Sequence, residues 1–187
     1  MMTVKDVKIA PAPEEFEMRF SGSGGQGLQL VAKIFARAFS DAGKIVAQSQ
    51  SYEPTSRGGL SRSDLVIGLE EPDYPLVTNI NFMLILDQVA VKADEGIISD
   101  DALVITDARL VTAPPKGTFR VLALPISETA MALGNPRVAN IVALGALSGE
   151  GNLCALDIIE NAIRVSVPKK FTELNIKAFQ EGLKLVA

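Results

Sequence analysis

The hydrophobic and polar positions divide the chain into a first part of strands and loops and a last part of helices. Apolar and polar side chains alternate over residues 16–21, which predicts a strand. Apolar residues at helical spacing over 28–42, followed by Gly43 as a C-terminal cap, predict a helix. Short apolar runs predict further strands at 44–49, 62–69, 81–86, 103–106 and 120–124.

The character of the sequence changes after Pro125. Four segments with helical spacing and only short breaks follow, at 127–133, 137–148, 156–165 and 173–186. Strand–helix units that precede a run of helices predict an α/β fold with a largely parallel sheet and a helical C-terminal part. We expect a single domain over residues 16–187. Residues 1–15, which contain two prolines, are predicted to be a flexible leader.

Composition excludes several kinds of chemistry. The 187 residues include no His and one Cys, and the formal net charge is −4. Without His there is no Ser-His-Asp triad and no HExxH zinc site, and one Cys cannot form an intrachain disulfide or hold an iron–sulfur cluster. The acidity argues against nucleic acid as a partner, and no run reaches the ~18 apolar residues of a membrane span. We therefore expect no catalytic or metal-binding residues and a cytoplasmic location.

The glycine-rich segment between the first predicted strand and helix is the first candidate site. It contains Gly22, Gly24, Gly25, Gln26 and Gly27. Closely spaced backbone N–H groups before a helix N-terminus make a site for phosphate or carboxylate. The glycine spacing also fits a dinucleotide fingerprint, but residues 48–50 (Gln-Ser-Gln) offer no acid for a ribose. An anion site, a dinucleotide site and a plain tight turn all remain open.

The loop after the second predicted strand is the second candidate site. Arg57 is placed to reach an anionic group, and two adjacent glycines permit close approach of a partner's backbone. Because this loop and the glycine-rich segment both follow strands of a predicted parallel sheet, we expect them to face one crevice. A solvated surface loop is the alternative. The candidate interface residues are Tyr52, Pro54, Arg57, Gly58, Gly59 and Ser61.

Other polar residues have simpler interpretations. Asp87, Asp107 and Glu128 lie near predicted strand or helix ends, where capping a helix is commoner than acting as a base. Cys154 precedes an apolar helix and is expected to be a small core residue. Asn140 and Asn175 lie in helical stretches and are expected to bond across elements. We find no nucleophile–base pair.

The motifs together resemble a known family, the gamma subunits of 2-oxoacid:ferredoxin oxidoreductases. The resemblance rests on FSGSGGQG at 20–27, QSYEPTSRGGLSRSDLVIG at 50–68 and DYP at 73–75, and it continues through 125–147 and 167–182. The 2-oxoglutarate and indolepyruvate types are the most similar, whereas pyruvate-type subunits usually differ around the RGG segment. The chain departs from the family pattern at Glu53, where relatives commonly carry Gly, and over 86–97.

The resemblance implies a three-layer α/β/α sandwich and an accessory role in a larger enzyme. Such enzymes decarboxylate a 2-oxoacid, for example 2-oxoglutarate or indolepyruvate, transfer the acyl group to coenzyme A and reduce ferredoxin. Thiamine diphosphate, coenzyme A and iron–sulfur clusters are then expected on partner alpha and beta subunits, and on a delta subunit in enzymes that have one. This chain alone is expected to hold no cofactor and to be inactive. In isolation its uncovered contact surface favours a homodimer. The alternative is a stand-alone dinucleotide-binding or nucleotide-sensing module.

Overall fold

The structure is a computed structural model that describes residues 13–53, 58–72, 76–94 and 96–187. The strands are β1 (Phe16–Ser23), β2 (Ile45–Tyr52), β3 (Leu60–Gly68), β4 (Ile80–Ile85), β5 (Ile98–Asp107) and β6 (Arg120–Leu124). The α-helices are α1 (Leu28–Asp41), α2 (Ile126–Ala132), α3 (Ala139–Gly151), α4 (Leu156–Ser166) and α5 (Thr172–Lys184). Short 3-10 helices lie at Gln88–Asp94, Pro136–Val138 and Lys169–Phe171.

The six strands form one sheet in the order β2-β3-β1-β4-β5-β6. β1, β4, β5 and β6 pair in parallel, whereas β3 is antiparallel to both of its neighbours, β1 and β2. Consequently β2 runs in the same direction as β1, and β3 is the single reversed strand of this sheet. The predicted α/β fold with a largely parallel sheet is confirmed. The antiparallel β2–β3 hairpin at one edge was not predicted.

The two faces of the sheet are covered unequally. All five α-helices contribute buried side chains to one hydrophobic cluster on one face, together with Phe20, Leu65 and Leu84 from the sheet. A smaller cluster on the other face joins strand residues to Ala90 and Val91. These two belong to the 3-10 helix Gln88–Asp94, so in the described part of the chain this face is covered by 3-10 helix and loops rather than α-helices. The resulting outer layer is thinner than the expected sandwich implies.

The closest helix pair is α3 and α5, which cross at two glycines. Atoms placed at the Cβ positions of Gly145 and Gly182 would collide with backbone carbonyl oxygens of Phe179 and Val142 on the facing helix. Almost every residue of α3 is buried, as expected for a helix that carries apolar side chains on all of its faces. The glycines therefore let two backbones pack directly against each other, and α3 lies between α5 and the sheet.

Most predicted element boundaries are close to those observed. β6 coincides with the predicted range, and α1 and Gly43, whose φ is 84°, match the predicted helix and cap. β5 is longer than predicted, because four residues of polar or mixed character precede its buried part. The 3-10 helix Gln88–Asp94 was not predicted. Residues 1–12 lie outside the described part of the chain, so the flexible leader stays a prediction.

Candidate functional site

Both predicted loops lie at the same edge of the sheet. β1 ends at Ser23 and β2 ends at Tyr52, and β3 begins at Leu60 beside them because it runs in the opposite direction. The backbone N–H of Gly24 donates a hydrogen bond of 3.0 Å to the carbonyl of Gly59, which joins the two loops directly. The order and direction of the strands in the sheet therefore bring together the two segments that the sequence analysis singled out.

The glycine-rich segment makes a tight turn from β1 into α1. Gly25 and Gly27 adopt φ values of 97° and 75°, which side chains strongly disfavour. Gly27 is the N-cap of α1, yet no side chain caps this helix and its first turn contains no acidic residue. The first N–H groups of a helix have no partner within it, so the start of α1 is electrostatically suited to an anion. Gly24 and Gly25 are exposed.

Gln26 ties the segment to the neighbouring strand. Its Oε1 accepts a 2.7 Å hydrogen bond from the N–H of Ser23, and its Nε2 donates a 2.9 Å bond to the carbonyl of Leu86, just after β4. The amide lies over Gly22, because a Cβ at Gly22 would collide with Gln26 Oε1. Gln26 and Gly22 therefore shape the turn, and Gln26 uses both ends of its amide to do so.

Gly27 is also held from the helical layer. Nδ2 of Asn140, at the start of α3, donates a 3.1 Å hydrogen bond to the Gly27 carbonyl. The same amide nitrogen occupies the space that a Cβ at Gly27 would need. The prediction that Asn140 bonds across elements is confirmed, whereas Asn175 Nδ2 donates to the Phe171 carbonyl only four residues earlier. Two features therefore favour glycine at position 27, namely its positive φ and the packing of Asn140.

The second loop is described only at its two ends. Pro54 and Arg57 lie outside the described residues, as does the side chain of Tyr52. Glu53 and Leu60 close the base of the loop, since the Glu53 N–H donates to the Leu60 carbonyl at 2.9 Å and the Glu53 carboxylate accepts from the Leu60 N–H at 3.3 Å. The departure from the family pattern at Glu53 thus has a local structural role.

Gly59 and Ser61, at the described end of this loop, lie beside the glycine-rich segment. Gly58 is exposed with φ 77°, and Ser61 is partly buried opposite Gly22 in the β1–β3 register. Ser61 also lines a hollow of about 290 Å³ with residues from Ser23 to Gln29. Backbone of the glycine-rich segment and a hydroxyl of the second loop therefore share one concave surface.

A second cavity, of about 230 Å³, lies on the other side of Gln26. It is bounded by Gly25 and Gln26 and by two arginines, Arg109 after β5 and Arg137 before α3. Neither arginine was singled out in the sequence. They come from segments 28 residues apart, so no local motif connects them.

Asp107 organises this second region. Asp107 is 1% exposed, and its carboxylate accepts hydrogen bonds of 2.8–3.1 Å from the N–H of Arg109 and from both the N–H and Oγ of Ser127. Ser127 Oγ in turn accepts from Arg109 Nε at 2.9 Å. The interpretation of Asp107 as a capping residue fits these bonds, because the carboxylate serves the first turn of α2 and the turn after β5.

The environments of Cys154, Asp87 and Glu128 indicate structural roles. The Cys154 thiol is partly buried and lies 4.0 Å from the Ala38 carbonyl, and burial raises the pKa of this thiol. Asp87 accepts from the N–H of Val89, and Glu128 is exposed in the first turn of α2. Among the described residues no group of three or more His, Cys, Asp or Glu side chains is arranged to hold a metal ion. No helix in the described ranges is both long and apolar enough to cross a membrane.

Comparison with known proteins defines the class. The family model described as pyruvate ferredoxin/flavodoxin oxidoreductase matches residues 17–185. A curated relative is the KorC subunit of 2-oxoglutarate synthase from Archaeoglobus fulgidus, 34% identical over 176 residues that cover 92% of this chain and 89% of the relative. This chain therefore belongs to the pyruvate ferredoxin/flavodoxin oxidoreductase family.

Two solved structures are similar to this chain in fold. The gamma subunit of the keto/oxoacid ferredoxin oxidoreductase from Geobacter sulfurreducens superposes with a TM-score of 0.81 at 37% identity, covering 91% of this chain and 98% of that one. The 2-oxoglutarate:ferredoxin oxidoreductase from Magnetococcus marinus, solved with 2-oxoglutarate, coenzyme A and succinyl-CoA bound, gives a TM-score of 0.83 at 21% identity over 93% of this chain and 31% of that one. The second likeness shows the fold alone. The resemblance to oxidoreductase gamma subunits read from the sequence is confirmed.

Proposed function

We propose that this chain is the accessory gamma subunit of an enzyme that oxidatively decarboxylates a 2-oxoacid such as 2-oxoglutarate or indolepyruvate, and that its glycine-rich edge faces a phosphate-bearing cofactor. The cofactor is coenzyme A or thiamine diphosphate, held mainly by a partner subunit. The main support for this proposal is the hydrogen bond from the Gly24 N–H to the Gly59 carbonyl, because it joins two loops with exposed backbone at one edge of the sheet.

The residues at this edge fit a phosphate group. The start of α1 has no capping side chain and no acidic neighbour in its first turn. The Leu30 N–H already donates to the Gly27 carbonyl, so the N–H groups of Leu28 and Gln29 are the ones proposed to meet an anion. The adjoining hollow of about 290 Å³ is smaller than a typical site for a whole cofactor, which suits a surface that covers one part of a shared ligand. A larger cavity of about 460 Å³ at the other end of β1 is lined by Glu15, Glu70 and Glu71 and would repel an anion.

Partner chains supply the rest of this proposed enzyme. When bound, thiamine diphosphate supplies the carbanion chemistry and iron–sulfur clusters carry electrons to ferredoxin. Iron–sulfur clusters do not fit this chain as resident cofactors, because it has one Cys and no His, and the sequence contains no GDG…N motif for thiamine diphosphate. We place these cofactors on alpha and beta subunits, and on a delta subunit where the enzyme has one, in the cytoplasm. Gly24, Gly25 and Arg57 would then face the cofactor, whereas Gly22, Gln26 and Gly27, which were also expected to bind it, would shape the turn that does so. Tyr52, Pro54, Arg57, Gly58, Gly59 and Ser61 would lie at the subunit interface.

The alternative of a stand-alone dinucleotide-binding module is less well supported. In a dinucleotide-binding fold the second strand lies directly beside the first, and its end carries the acid that holds the ribose. Here β3 separates β2 from β1, and β2 ends in Gln50, Ser51 and Tyr52. Titration of the isolated chain with NAD tests this alternative, and tight NAD binding would favour it.

Arg57→Ala in the reconstituted complex tests the proposed crevice. We expect a higher KM for coenzyme A with an unchanged yield of assembled complex, because a loop arginine contributes little to the core. Arg37→Ala is the matched control, since Arg37 is exposed on α1 and pairs with Asp41 instead. An unchanged KM together with a lower yield of complex would show that the loop is only an interface element.

The isolated chain tests the accessory role. We expect it to be colourless, without absorbance near roughly 400 nm where Cys-ligated clusters absorb, and inactive toward 2-oxoacids. Light scattering should show a homodimer or larger species, because the interface normally covered by partners is free. Cluster absorbance that survives desalting would contradict the accessory role, and a strict monomer at high concentration would contradict the exposed interface.

A further inference from the structure

We propose that the cavity between Gln26, Arg109 and Arg137 is a second anion subsite that binds a phosphate group. It is separate from the hollow formed by the glycine-rich segment and Ser61, but Gly25 and Gln26 line both. The subsite deepens the proposed function, since one ligand with two phosphate positions can occupy both cavities. It is built wholly from described residues and does not depend on Arg57.

The charges in this cavity are not balanced by the protein. Across residues 13–53, 58–72, 76–94 and 96–187, neither Arg109 nor Arg137 has a carboxylate oxygen within salt-bridge distance. Asp107 is the one acid that lines the cavity, and its two oxygens accept bonds from backbone N–H groups and Ser127. Two guanidinium groups against one fully engaged carboxylate leave the cavity with an excess positive charge.

Arg109 is held in a defined orientation. Its Nε donates to Ser127 Oγ, and Ser127 is fixed in turn by the buried Asp107 carboxylate. The Nη groups of Arg109 have no hydrogen-bond partner in the described part of the chain, so they remain available to a ligand. A guanidinium fork matches two phosphate oxygens, and a fixed fork loses less entropy on binding than a free one.

The rest of the lining strengthens this interaction. Leu86, Leu110, Pro136 and Ala139 give the cavity apolar walls. Electrostatic attraction is larger beside such walls than in open water, but Arg109 and Arg137 are themselves exposed, so solvent screens part of it. The volume of about 230 Å³ holds a phosphate and a small part of the group it is attached to, rather than a complete cofactor.

Binding of inorganic pyrophosphate to the full chain, measured by calorimetry, tests the subsite. We expect Arg109→Gln and Arg137→Gln each to weaken binding about tenfold, as loss of a charge-assisted hydrogen bond predicts. Arg164→Gln is the matched control, because Arg164 pairs with Glu173 on the helical side. The proposal would be overturned if both arginine variants bound pyrophosphate as tightly as the unchanged chain does, if the unchanged chain did not bind it, or if acetate bound equally tightly in an arginine-dependent way.

Ser127 is proposed as a positioning residue, and a double-mutant cycle tests that role. Ser127→Ala should weaken pyrophosphate binding in the unchanged chain and have no further effect in the Arg109→Gln background, whereas Ser127→Thr should retain binding. Additive effects would contradict positioning through Arg109. Coenzyme A and thiamine diphosphate are then compared in the arginine variants, and the ligand whose affinity falls identifies the source of the phosphate.

The subsite and the proposed function can fail separately. If Arg57→Ala leaves the KM for coenzyme A unchanged while Arg109→Gln still weakens pyrophosphate binding, the proposed crevice is wrong and the subsite stands. If only Arg57→Ala has an effect, the crevice stands and the subsite is wrong.

Discussion

Glycine has opposite uses in two regions of this chain. At the crossing of α3 and α5, Gly145 and Gly182 lie in ordinary helical backbone and remove side-chain volume so that two helices touch. In the turn before α1, Gly25 has open space around it and a φ of 97°. The first region needs the absence of a Cβ, and the second needs a backbone conformation that a Cβ disfavours.

Replacing glycine should therefore affect the stability of the fold at the helix crossing and the access of a ligand at the turn. A buried helix crossing cannot expand without moving the helices, because the atoms that a new Cβ would meet are backbone. An exposed turn can accept a side chain at the cost of local strain, but the added atoms then occupy the space where a ligand approaches. Substitutions at the crossing are therefore expected to change folding, and substitutions in the turn to change binding.

Gly145→Ala should have the largest effect on folding. Although alanine is the better helix former by about 1 kcal/mol, its methyl group would overlap the Phe179 carbonyl on α5. We expect the free energy of unfolding to fall by about 3 kcal/mol, at the upper end of overpacking costs. Denaturant unfolding followed by circular dichroism measures this change.

Gly149→Ala is the control for that experiment. Gly149 lies one turn further along α3, where a Cβ would meet the side-chain ends of Val186 and Leu183 instead of backbone. These ends can move, so the loss should be clearly smaller. Similar losses at the two positions would show that the close approach of the backbones is not what requires glycine at 145.

Gly27→Ala should have an intermediate effect, because Gly27 combines both uses of glycine. A side chain there adopts a left-handed φ of 75° and also meets Asn140 Nδ2. Strain of about 1–2 kcal/mol from the backbone and a further cost from displacing the Asn140 amide predict a loss of about 2–3 kcal/mol. The same denaturant measurement applies.

Asn140→Ala separates the two contributions. Alone it removes the hydrogen bond to the Gly27 carbonyl and should cost about 1 kcal/mol. In the double variant with Gly27→Ala the collision is absent, so the total loss should be smaller than the sum of the single losses. A strictly additive result would mean that backbone conformation alone selects glycine at position 27.

The sequence predicted local elements better than their arrangement. Periodicity and Gly43 located α1 because both are properties of neighbouring residues. The strand order was not accessible in this way, since β3 pairs with β1 across 36 or more residues of chain and reverses the direction of one strand. The buried ion pair between Arg19 and Asp64, at 2.7 Å, depends on that pairing and carries no local signal.

The candidate site shows the same division. The glycine-rich turn was visible because its chemistry lies in consecutive residues. Arg109, Ser127 and Arg137 were not, because an isolated arginine has no periodic or motif context. The bonds that join Arg109 to Ser127 and Ser127 to Asp107 connect residues that are far apart in the sequence. A clue was present in the polar residue that ends β5, which was read as a cap but not followed to the groups it holds.

Gly25→Ala should have the smallest effect on folding and a clear effect on binding. The space around Gly25 is open, so only the positive φ opposes a side chain, and the expected loss in the free energy of unfolding is about 1 kcal/mol. Gly25→Asn is the matched variant, since asparagine tolerates this conformation better and should cost less while adding more atoms. Because Gly25 lines both cavities, both variants should weaken pyrophosphate binding, with asparagine the weaker binder of the two. A loss of stability as large as that of Gly145→Ala, or unchanged binding in both variants, would contradict the separation between the two uses of glycine.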